Sequence, residues 1–281
     1  MTRLKVFLPF VLLIFSFCSK KTGGGGSVFT PQTPVDKNWK FETTPMWSDE
    51  FDYTGLPASA KWGYDLGGSG WGNNELQYYT DLISNAKVEN GNLTITARKE
   101  NMGNRNYTSA RLITKNKGDF LYGRIDVRAK LPAGRGTWPA IWMLPTDWAY
   151  GDWPKSGEID IMEHVGYDPN KVLFSVHTQA YNHSIGTQKS GGQLIPTAIT
   201  DFHNYRLDWT PYAVRGYFDD NLVFTFVNEG KGSPTWPFDK RFHLLLNLAV
   251  GGNWGGAQGV DDTVFPASLV VDYVRVYKMI E

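Results

Sequence analysis

From about Trp39 to the end of the chain, apolar residues come in short runs that alternate with polar ones. No window of a dozen residues sustains a helical 3.6-residue period. In residues 92–99, Leu93, Ile95 and Ala97 alternate with Thr94, Thr96 and Arg98. In residues 123–131, Ile125, Val127, Ala129 and Leu131 alternate with Arg124, Asp126, Arg128 and Lys130. In residues 269–278, Val270, Asp272, Val274 and Val276 are set against Val271, Tyr273, Arg275 and Tyr277. Such period-2 patterns belong to half-buried strands. With 30 Gly and 15 Pro punctuating them and no second linker or repeat, one large antiparallel sandwich is expected.

Charge and cysteine usage exclude several function classes. Lys plus Arg equals Asp plus Glu at 28 each, which argues against a large basic face for nucleic acid. Cys18 is the single cysteine, so no intrachain disulfide and no cysteine-rich zinc site can form. There is no phosphate-cradling Gly-rich loop, no H-E-x-x-H pair and no nucleophile elbow. Two basic residues precede a 12-residue apolar run, Val6 to Phe17, which suits an export signal and is short for a membrane span. Residues 1–17 therefore read as a signal peptide. Cys18 follows directly, as the lipid-attachment residue of a bacterial lipoprotein would, with residues 18–38 as a flexible tether. Phe17 stands where such signals usually carry a small residue, so plain export is the alternative. The expected location is the outer membrane or cell surface by a lipid anchor, or otherwise the periplasm or medium.

The sequence Ser156 to Gly166, SGEIDIMEHVG, carries three carboxylates. In a strand Glu158 and Asp160 share a face. Strict alternation sends Glu163 to the other face, leaving a solvated strand with acids on both sides. One extra residue near Ile161 and Met162, a β-bulge, would bring all three acids together. Bulges are common beside active sites. Two carboxyls close together are what a retaining glycosidase uses, one ionised and one protonated, with a third acid to keep their pKa values apart.

The acid motif resembles the E-x-D-x-x-E signature of glycoside hydrolase family 16. Other blocks are similar to the laminarinase branch of that family and stand in the same order. They are WSDEFDY (47–53), GWGNNELQYYT (70–80), SARLITK (109–115), YGRIDVRAKLPAGRGTWPAIWMLP (122–145), LLNLAVGGNWGG (245–256) and VDYVRVYK (271–278). The resemblance implies an all-β jelly-roll sandwich of two curved antiparallel sheets over residues 39–281, with a substrate cleft on the concave face. It implies endo-cleavage of β-1,3-glucan with retention, Glu158 as nucleophile, Glu163 as acid/base and Asp160 as their electrostatic partner. It also implies a structural calcium at Glu50, the Gly91 carbonyl and Asp272, oxygen donors that calcium prefers. Asp272 shares its parity with Val270 and Val274, where a buried unpaired carboxylate would be costly. No organic cofactor is expected, and a monomer is.

Further residues are candidates for holding the glycan. Trp138 and Trp142 share one strand parity and suit stacking on sugar rings, or a core. Trp153 lies shortly before the acids. Asn247 stands opposite an apolar face formed by Leu244, Leu246, Leu248 and Val250. Trp254 sits in a Gly-rich loop that could close over a sugar. Asn74 and His177 complete the set; His177 equally fits a satisfied buried histidine. The same site would suit mixed-linkage glucan or a galactan, could transfer to a sugar instead of water, or, on the same fold, could belong to a non-catalytic glucan-binding protein.

Overall fold

The computed structural model describes residues 34–280. The signal segment, Cys18 and most of the tether lie outside the described residues. Two eight-stranded antiparallel sheets face each other. One runs, edge to edge, Asn221–Val227, Ala213–Phe218, His203–Trp209, Gly123–Lys130, Ala267–Tyr277, Asn92–Ala97 and Ala86–Glu89, with Trp47–Asp49 paired onto Ala267–Tyr277. The other runs Lys189–Leu194, Lys171–His177, Glu158–Glu163, Thr137–Pro145, Phe242–Val250, Arg111–Ile113 and Gly63–Tyr64, with Asp119–Phe120 paired onto Phe242–Val250.

The alternation read in the sequence sets which side chains meet between the sheets. Leu93, Ile95, Ile125, Val127 and Ala129 enter the core from the first sheet. Ile141, Met143, Ile159, Leu244, Leu246 and Leu248 enter from the second. Each such Val, Leu, Ile or Met side chain contributes about 1.5–3 kcal/mol when fully buried. Since both inner faces are filled this way, the acid strand has its other face left for chemistry.

In Ala267–Tyr277 the expected parity fails midway. Arg128 pairs with Tyr273 but Ala129 pairs with Val271, so Asp272 is an extra residue. Val271, Val274 and Val276 are buried, while Val270 and Asp272 are only half-buried. Asp272 is therefore not a buried unpaired carboxylate: Arg128 donates to it through Nη1. Strict alternation could not register this inserted residue.

Candidate active site

A second bulge answers the question posed by the three acids. Met143 pairs with Ile159 and Trp142 with Asp160, but Ile141 pairs with Met162 and Ala140 with Glu163, so Ile161 has no opposite number. The neighbouring strand shows the same step, with Ser175 opposite Asp160 and Leu173 opposite Glu163. Ile161 and Met162 are both fully buried in the core. Slipping to a regular register would withdraw one of them and drive Glu163 into apolar surroundings, where an unpaired carboxylate costs several kcal/mol. The core thus holds the bulge, and the bulge aims Glu163 to the side of Glu158 and Asp160. Just beyond, only glycine fits at Gly166: a Cβ there would lie 1.8 Å from the Gly134 carbonyl oxygen.

Sheet pairing sets His177 opposite Glu158. Its Nε2 lies 3.2 Å from Asp160 Oδ2 and 3.7 Å from Glu158 Oε1. Trp138 donates through Nε1 to Glu163 Oε1 at 3.1 Å. All three carboxyls are pushed up to about 8, first by burial. The Asp160 charge adds to the rise of Glu158 and Glu163, and the Trp138 hydrogen bond opposes it at Glu163. Like charges this close retain protons near neutral pH. The cluster can thus offer a proton and an ionised oxygen at once.

The tryptophan strand carries the walls. Trp138 and Trp142 are half-buried on the acid side, while Ile141 and Met143 point into the core. Trp254 meets Trp138 edge-on, with ring centroids 5.6 Å apart. Asn74 donates to Asn253 Oδ1 at 2.8 Å and so ties its loop to the Gly-rich loop that holds Trp254. Asn247 is buried, and its amide serves the protein itself: Oδ1 accepts from Trp142 Nε1 at 2.7 Å and Nδ2 donates to the Tyr79 hydroxyl at 3.1 Å. Trp153 lies 6.0 Å from His177 and 4.8 Å from His183 between ring centroids.

Sequence reasoning missed four contributors. Arg111 lies over the rings of both Trp71 and Trp142, at 4.9 and 4.7 Å, and pairs with Asp65 at 2.9 Å. Glu75 is buried and accepts from Gln77 Nε2 at 2.6 Å and from the Tyr79 hydroxyl at 3.2 Å, and burial raises its pKa. His183 was missed because it comes from a short 3-10 turn, His183–Ile185, with no pattern of its own. Trp71 and Arg111 lie in quoted blocks, but only the fold brings those blocks together.

The proposed calcium donors gather on the other sheet. Trp47–Asp49 and Asn92–Ala97 both pair with Ala267–Tyr277, at Val274 and Val271, so Glu50, Gly91 and Asp272 surround the bulge at Asp272. The donor types suit calcium. Glu50, however, is engaged by Arg275 at 2.7 Å and Asp272 by Arg128.

Residues 74–274 match glycosyl hydrolases family 16. The chain belongs to this family. Over 244 residues it is 58% identical to the beta-glucanase of Rhodothermus marinus, covering 84% of this chain and 85% of that protein. It is 41% identical over 231 residues to a glucan endo-1,3-beta-glucosidase of Cryptopygus antarcticus, covering 76% of this chain and 83% of the other. The X-ray structure of the laminarinase from Rhodothermus marinus superposes with a TM-score of 0.84 at 56% identity, covering 86% of this chain and 99% of that one. The two-sheet sandwich is accordingly the family 16 jelly-roll, and the acid strand lies within the matched span.

Proposed function

We propose that this chain is an endo-β-1,3-glucanase that cleaves laminarin-type glucan with retention of configuration. The observation that carries the reading is the bulge that sets Glu158, Asp160 and Glu163 on one face, beneath Trp138. Glu158 attacks the anomeric carbon while Glu163 passes its proton to the departing glycosidic oxygen. The bond to the leaving sugar breaks, and a glycosyl ester forms on Glu158. Esterification removes the Glu158 charge. Glu163, now ionised, takes a proton from water, and that water displaces Glu158 from the sugar. Asp160, two positions along the same strand face, is itself pushed up by burial, shares a proton with the cluster and helps keep the two working carboxyls in opposite states.

Purified protein would be incubated with laminarin, mixed-linkage glucan, agarose and carrageenan, and the products sized. Short oligosaccharides from laminarin support the reading. Cleavage of another glycan keeps the mechanism and replaces the substrate. Glucan binding without cleavage removes the activity. Glu158→Ser is expected to abolish hydrolysis while keeping the fold, and turnover in that variant would refute the nucleophile assignment.

Three further proposals concern the rest of the chain. Cys18 carries a lipid anchor at the outer membrane or cell surface, and an unlipidated intact mass of membrane-extracted protein would refute it. Calcium held by Glu50, the Gly91 carbonyl and Asp272, displacing Arg275 from Glu50 and Arg128 from Asp272, stabilises the sandwich; a melting temperature indifferent to chelator would refute that. The protein acts as a monomer, which size-exclusion with light scattering checks.

A further inference from the structure

We propose that Glu158, Asp160 and His177 form a site for one divalent transition-metal ion of the zinc class, and that the ion switches hydrolysis off. One ligand atom from each of the three lies within 4.8 Å of the others. Among the described residues no other trio of His, Cys, Asp or Glu side chains converges in this way.

The spacing suits a tetrahedral ion. Zinc bonds to nitrogen and oxygen are about 2.0–2.2 Å, which makes the edge of the tetrahedron about 3.4 Å. The two edges that meet at His177 Nε2 are 3.2 Å, to Asp160 Oδ2, and 3.7 Å, to Glu158 Oε1. Both lie within a few tenths of an ångström of that edge, and the remaining edge, between the two carboxylates, is no longer than 4.8 Å, so a side-chain rotation of Glu158 would close the site. Asp160 is 3% exposed, and its Oδ2, the atom facing His177, has no hydrogen-bond partner. A buried carboxylate oxygen left in this state is costly unless something cationic takes it up.

Charge points the same way. Three carboxyls crowd one face, and a divalent ion would take the place of the protons that hold off their repulsion. One imidazole and two carboxylates suit zinc, cobalt or copper, whereas magnesium and calcium need six or more oxygens. Glu158 is the least buried of the three ligands, which leaves the fourth coordination position to the cleft. His177 Nδ1 lacks a hydrogen-bond partner, so the outer support that tightens structural zinc sites is missing. Affinity in the micromolar range is therefore expected. An ion that holds Glu158 Oε1 removes it from attack on the sugar. This inhibition rests on the catalytic reading above, while the binding does not.

The test uses tag-free wild-type protein. Cobalt(II) is titrated and followed by the visible absorption of tetrahedral cobalt, and zinc is titrated by calorimetry. A β-1,3-linked gluco-oligosaccharide serves as competitor. The expected results are one ion per chain, a tetrahedral spectrum, and loss of the ion when the oligosaccharide is added. Zinc should raise KM for laminarin without lowering kcat, and calcium and magnesium should do neither. His177→Gln and Asp160→Asn should each weaken binding about tenfold or more. The absence of a tetrahedral spectrum, or an ion indifferent to the oligosaccharide, would overturn the site; so would binding unchanged in folded H177Q. The competition arm uses wild type alone and stands even if a variant fails to fold. Hydrolysis without metal binding would remove the site and leave the enzyme; metal binding without hydrolysis would do the reverse.

Discussion

Replacing Trp138 with Phe keeps an aromatic ring against Trp254 and removes the indole N–H that donates to Glu163 Oε1 at 3.1 Å. A hydrogen bond to a charged group is worth about 1.5–3 kcal/mol, and about 1.4 kcal/mol corresponds to one pKa unit. Glu163 is only half-buried, so the lower end of that range applies, or about one unit. The sign follows from which form the donor favours. The indole stabilises the carboxylate and holds the pKa down against burial and the Asp160 charge. Without it, the pKa rises from about 8. An acid catalyst must start protonated, so a higher pKa extends activity toward alkali. The assay is initial-rate hydrolysis of laminarin from pH 4 to 10, comparing kcat/KM for wild type and W138F. The basic limb should move up by about one pH unit. A weaker grip on the sugar would lower the whole profile without moving its limb. A basic limb that stays in place or moves down refutes the assignment of Glu163 as the acid held by Trp138.

Other perturbations follow from the same geometry. Arg111→Lys gives up the flat guanidinium between Trp71 and Trp142; two contacts worth about 0.5–1 kcal/mol each imply a loss of about 1–2 kcal/mol of stability, read as a melting temperature lower by a few degrees. Asp126 on the opposite sheet is raised from 3.8 to about 6, chiefly by burial. The native state then holds its proton more tightly than the unfolded chain, so stability is lost as pH rises between those values. Asp126→Asn should raise the melting temperature by several degrees at pH 8, from an upper bound of about 3 kcal/mol, and by almost nothing at pH 3. Deleting Met162 removes the bulge but leaves Glu158, Asp160 and Glu163 in strict alternation on one face. The loss of a buried side chain costs about 2–5 kcal/mol. The variant should therefore melt lower yet still cleave laminarin, and a folded but wholly inactive protein would contradict the bulge account.

How much was legible follows from what a period-2 pattern can carry. The strands at residues 92–97 and 123–130 read correctly because their alternation is unbroken, and the ladder keeps it. The strand at residues 267–277 was misread at Asp272 because an inserted residue changes parity without changing composition. The acid strand holds the same device. There the chemistry of three carboxylates gave a reason to suspect it, and no such reason existed at Asp272. Trp138 and Trp142 were found by parity. Asn247 was found by parity too, but its place beneath Trp142 depends on Tyr79, which is 168 positions away in the chain. Arg111 stands out only once distant segments bring it against Trp71 and Trp142, and His183 comes from a turn with no pattern of its own; Glu75 shares strand parity with its partners Gln77 and Tyr79 and was legible in principle.

The central claim is that the bulged strand supplies a nucleophile and an acid/base on one face. The most direct test is proton NMR of laminarin hydrolysis in its first minutes, before the products mutarotate. The β-anomer of the new reducing end should appear first and the α-anomer should grow in later. If the α-anomer appears first, water attacks directly, and Glu158 is not the nucleophile.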